Sequence, residues 1–83
     1  MKNKVFIVRE GDISNDEAVI GIFSTEEKAK AYTTKMVELY NSNQKYKNRM
    51  LEQSERDETY FTTLGGYYIE YTEIVLDPEF DYC

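Results

Sequence analysis

The chain has 83 residues, a net charge of −6, one cysteine and no histidine. A chain this short builds one small core and leaves little room for a deep, enclosed active site; lacking histidine, it also lacks the commonest general base and metal ligand. A single cysteine, Cys83, excludes an intrachain disulfide and with it a stapled secreted fold, so a reducing, intracellular compartment is expected. Eight tyrosines are many for this length, and each joins a large ring to a hydroxyl that wants a partner, which suits half-buried surfaces and interfaces.

The first apolar run, Val5 to Val8 in KVFIVREG, predicts a strand ended by Gly11 and is far too short for a signal-peptide core or a membrane span. EAVIGIF predicts a second strand ending at Phe23, joined to the first by Asp12, Ser14, Asn15 and Asp16 in an antiparallel hairpin. In STEE, Ser24 and Glu27 have the spacing of a capping box, so a helix starts at Thr25 or within one residue of it. Ala29, Tyr32, Met36, Leu39 and Tyr40 recur at three- and four-residue steps and form the stripe that packs on the sheet.

Asn41, Ser42 and Asn43 weaken the helix. The 44–57 segment is again helix-compatible, as a second short helix or a bent continuation of the first, with Tyr46, Met50 and Leu51 as its apolar face. Gly65 and Gly66 predict a turn before YYIEYTEIVL, the strongest strand in the chain, which Pro78 closes. The expected architecture is one α+β domain over 1–83: a small antiparallel three-stranded sheet with one main helix in the order ββαβ, an insertion or second helix within 41–66, and an acidic tail at 77–83.

All three strands are apolar on both faces. Val5 and Ile7 oppose Phe6 and Val8; Val19 and Phe23 oppose Ile20 and Ile22; Tyr67, Ile69, Tyr71 and Val75 oppose Tyr68, Ile74 and Leu76. One helix covers one face, so the other must meet the 44–57 segment or another molecule. Self-association, giving a homodimer through that face or through the edge of the last strand, is therefore expected.

The strands KVFIV, VIGIF and YYIEYTEIVLD around FSTEEKAKAY resemble a family of small domains encoded in phages and bacterial genomes. Its pattern is a short strand ending in Gly, a strand leading into F-S-T-x-E-x-A-x-x-Y, and a final strand rich in Tyr, Ile and Glu. Residues 4–37 and 67–77 carry the likeness, and the 41–66 link is longer than the family's usual one. The resemblance implies the fold and a location in the cytoplasm of a bacterial host; it brings no catalytic residues.

No motif points to an enzyme, a cofactor or a metal. Asp12, Asp16 and Glu17, or Asp77, Glu79 and Asp81, could approach a hard cation, but neither set has calcium-loop spacing. A basic block, including Lys45, Lys47 and Arg49, offers a small-anion site, and its acidic flanks disfavour direct nucleic-acid binding. The acidic C-terminal half carries the preferred expectation. Tyr60, Phe61, Phe80 and Tyr82 serve as anchors among Glu70, Glu73, Asp77, Glu79 and Asp81, contacting a host protein or nucleoprotein complex. With the phage resemblance, the expected function is that of a non-enzymatic accessory protein that inhibits such a complex, as an anti-defence protein of the anti-CRISPR type would. A self-associating domain that sequesters a small anion, or a regulatory binding domain, are the alternatives.

Overall fold

A computed structural model describes residues 3–12 and 15–76. Its elements run β1 (Asn3–Asp12), β2 (Asn15–Phe23), α1 (Glu26–Ser42), a 3-10 turn (Lys47–Arg49), β3 (Glu52–Gln53), β4 (Tyr60–Thr62) and β5 (Tyr68–Leu76). All five strands join one antiparallel sheet in the order β2-β1-β5-β4-β3. The β-branched and aromatic runs of β1 and β5 pair over nine positions, from Asn3 with Leu76 to Gly11 with Tyr68, and form the centre of the sheet.

Helix α1 lies across one face. Ala29, Thr33 and Val37 are its buried residues and meet Phe6, Val8, Ile69 and Tyr71 from the sheet. Thr33 is a polar residue in this core because its hydroxyl donates to the Ala29 carbonyl, 2.8 Å away, one turn back. Leu51 completes the core: the Asn41 side chain donates to its carbonyl (3.1 Å) and accepts from its amide (2.7 Å), an amide-to-peptide clamp that brings the loop against the helix.

The fold differs from the sequence-based expectation in five respects. The sheet has five strands, not three, so the ββαβ description is replaced: β3 and β4, of two and three residues, extend it beyond β5. Residues 44–57 form no second helix. They give the 3-10 turn and β3, because the Asn41 clamp and pairing of Glu52 with Thr62 hold the backbone extended there. The Tyr-rich last strand is central, so it has no free edge. Thr25, rather than Ser24, caps the helix; its hydroxyl accepts from the Lys28 amide at 3.3 Å, and the third helical position is then Lys28, which leaves no reciprocal Glu. The helix stripe centres on Ala29, Thr33 and Val37 with Tyr32, Met36 and Tyr40 beside it, whereas Leu39 is exposed.

A bulge accounts for the side-chain pattern of β2. Val8 pairs with Gly21 and Arg9 with Val19, so Ile20 is the extra residue. Ideal alternation would place Val19 with Phe23 and Ile20 with Ile22; the inserted residue instead turns Ile20 and Phe23 to the helix and Val19 and Ile22 away from it. Tyr32 seals the site by donating its hydroxyl to the Ile20 carbonyl at 3.2 Å.

Beyond β3, the Asp57 carboxylate accepts from the Thr59 amide and hydroxyl and ties the loop into β4. At the turn before β5, Gly66 takes φ 98°, a conformation that side chains disfavour, while Thr63 and Tyr67 bond across it.

Candidate functional site

The face of the sheet away from α1 is the candidate site. Alternation and register place Val5, Ile7, Arg9 and Gly11 of β1, Tyr68, Glu70, Thr72 and Ile74 of β5, Tyr60 and Thr62 of β4, and Val19 and Ile22 of β2 on it. No described residue lies over its apolar half: Ile22 is 66% exposed, Val19 52% and Ile74 38%, with Val5 and Ile7 half-buried between them.

The other half is a hydrogen-bonded set. One terminal nitrogen of Arg9 donates to Glu17 at 3.2 Å and the other to Glu70 at 2.9 Å, and its Nε is buried with no hydrogen-bond partner among the described residues. The Tyr68 hydroxyl donates to Glu17, which with burial and nearby carboxylates pushes its pKa up to about 12. Tyr68 lies over Gly11, where a Cβ would stand 2.9 Å from the phenolic oxygen; only glycine lets the ring sit so low. Tyr60 stacks on Tyr68 with centroids 5.4 Å apart, so an aromatic platform stands beside a fixed guanidinium.

The expected partner-binding residues divide between the two faces. Tyr60 and Glu70 lie on the open face, whereas Phe61 packs against the helix-side core and Glu73 lies on the helix side, 3.2 Å from Lys4. Asp77, Glu79, Phe80, Asp81 and Tyr82 lie outside the described residues. Sequence reasoning missed Arg9 and Glu17 as members of the site; their signal was opposite charge on adjacent strands of a predicted hairpin.

Lys45, Lys47 and Arg49 surround the 3-10 turn. Lys47 lines a cleft of about 240 Å³ with Glu52, Gln53, Thr62 and Leu64, while Arg49 lines one of about 340 Å³ with Asp12, Tyr40, Gln44 and Tyr67. Lys45 is exposed and lines neither. Each cleft sets one cation against one carboxylate, so neither has an excess of positive charge in its lining. Tyr67 stacks on Tyr40 at 4.8 Å and donates to Glu10 at 2.7 Å; burial, then that bond, raises its pKa.

Among the described residues no group of three or more acidic or thiol side chains is placed to hold a metal ion, and no helix is long and apolar enough to cross a membrane. Residues 3–75 match the family described as Domain of unknown function (DUF7336), and the chain belongs to that family. No curated protein and no solved structure matches it.

Proposed function

We propose that this DUF7336 domain is a non-enzymatic protein-binding module whose open sheet face takes an apolar, base-rimmed surface of a partner protein. One observation carries the proposal: Val5, Ile7, Ile22 and Ile74 make an apolar band without cover among the described residues, next to a rigid set of Tyr60, Tyr68 and Arg9. An apolar centre beside aromatic and arginine side chains is how protein interfaces are composed. The chain's net charge of −6, together with the two carboxylates, Glu17 and Glu70, that share the single Arg9 cation on this face, supports a partner surface with basic residues around an apolar patch. The resemblance to phage and bacterial domains supports a host protein or nucleoprotein complex as the partner, with its inhibition as the proposed result of docking.

The test begins with capture from a bacterial lysate by the wild-type chain and by an Ile7→Lys, Ile74→Lys variant, then identification and purification of the captured protein. Rebinding of the pure components should fall at least tenfold for the open-face variant and stay unchanged for Lys47→Glu, Arg49→Glu. Equal binding by the open-face variant, with loss in the Lys47 and Arg49 variant, would overturn the proposal and favour the anion-sequestering alternative.

A further inference from the structure

The two edges of the sheet are unlike. The β3 edge is two residues long, and Gln53 there donates its side chain to the Glu58 carbonyl. The β2 edge runs nine residues, Asn15–Phe23, without a lysine or a proline, and its stretch from Ala18 to Phe23 has no charge. Long, uncharged edge strands are templates for pairing with another strand, and native sheets usually blunt them with lysine, proline, brevity or a bulge; of these β2 has only the bulge at Ile20.

From this edge we infer that β2 pairs with β2 of a second copy, antiparallel about a two-fold axis between Ile20 and Gly21, so that two sheets become one of ten strands. The bulge selects the register. Ala18, Ile20, Gly21 and Phe23 belong to the helix side, and Val19 and Ile22 to the open side. Residues facing each other across an antiparallel pair must share a side. Placing Ala18 opposite Phe23, Val19 opposite Ile22 and Ile20 opposite Gly21 satisfies this at all six positions, and sliding the partner strand by one residue or by two puts open-side residues against helix-side ones.

Three further observations fit the same register. Val19 and Ile22, two of the most exposed apolar side chains of the sheet, cover each other twice, once on either side of the axis. Glu17 falls opposite Ser24 of the second copy, and the two Glu17 residues stand roughly 24 Å apart, being seven positions offset at about 3.4 Å each. The carbonyl of the bulged Ile20 is already taken by Tyr32, so the bulge brings no unmet acceptor to the axis. This pairing is independent of the docking proposal, and it would set two open faces side by side as one larger surface.

The test uses the full chain with Cys83→Ser, into which Val19→Cys and Ile22→Cys are introduced separately. Under mild oxidation each single variant should stay uncrosslinked, and an equal mixture of the two should form the crosslinked heterodimer. Sedimentation equilibrium should show a dimer whose dissociation constant rises at least tenfold in Ile22→Lys, a substitution at an exposed site that leaves the far-UV spectrum unchanged. A monomer up to roughly millimolar concentration overturns the inference. So does crosslinking of either single variant with itself, or a dimer that survives Ile22→Lys and is lost in Ile7→Lys, Ile74→Lys, which would place the contact on the open face. Because the partner assay reads those two open-face positions and the crosslink reads β2, failure of one leaves the other standing.

Discussion

The two faces of this sheet start from similar apolar content and end in different states. Phe6, Val8, Ile69 and Tyr71 on one side are buried under α1 and Leu51, whereas Val5, Ile7, Ile22 and Ile74 on the other have no cover among the described residues. On the covered side even the polar residues serve packing: Thr33 bonds back into its own helix and Asn41 spends its whole amide on Leu51. On the open side the polar residues bond to each other across strands and hold a tyrosine platform at the surface. Apolarity alone therefore does not say which face is core; the position of the one helix does.

The largest expected effect is on the covered face. Ile69→Ala or Leu51→Ala should lose about 2–5 kcal/mol in urea unfolding, from lost burial and the cavity left behind. Asn41→Ala should cost about 1–3 kcal/mol, because it leaves the Leu51 amide and carbonyl unmet at the edge of the core. Asn41→Asp should fail to rescue it, since a carboxylate can accept from the amide but cannot donate to the carbonyl. If Asn41→Ala melts like the wild type, the clamp does not hold the 47–53 segment in place.

How much of this was legible in the sequence varies by element. β1, β2 and β5 are long apolar runs between turn formers, and α1 has a cap and a stripe, so their existence and order follow from pattern. β3 and β4 are too short to show a period; backbone pairing places them, β4 on β5 and β3 on β4. The β2 bulge has only Gly21 as its trace, and without it the face assignment of Val19, Ile20, Ile22 and Phe23 goes wrong. Ser24 and Thr25 are both good caps, and local chemistry does not choose between them. On the open face, alternation alone separates Glu70 from Glu73 and Tyr60 from Phe61, but the Arg9 bridge needs the order β2-β1-β5, which no local pattern contains.

Smaller effects sharpen the comparison. Thr25→Ala should cost about 1 kcal/mol and Ser24→Ala close to nothing, by thermal or urea melts; the reverse order would return the cap to Ser24. The Tyr68 hydroxyl bonds to Glu17 in its neutral form, so its raised pKa makes the folded state hold a proton that the unfolded chain gives up near 10. Stability from this bond is whole below pH 10 and is lost as the pH rises through about 12. In an alkaline absorbance titration Tyr68→Phe should remove one late-ionising tyrosine, and an unchanged late phase would mean the hydroxyl is not held by Glu17.

The difference between the two faces is tested most directly by urea unfolding of Ile74→Ala beside Ile69→Ala, on the same strand and at a concentration where the chain is monomeric. Ile69→Ala should lose its about 2–5 kcal/mol, and Ile74→Ala, on a face free to bind, less than about 1 kcal/mol. An equal loss at Ile74 would show that the open face is covered in the folded chain, making it a second core and not a docking surface.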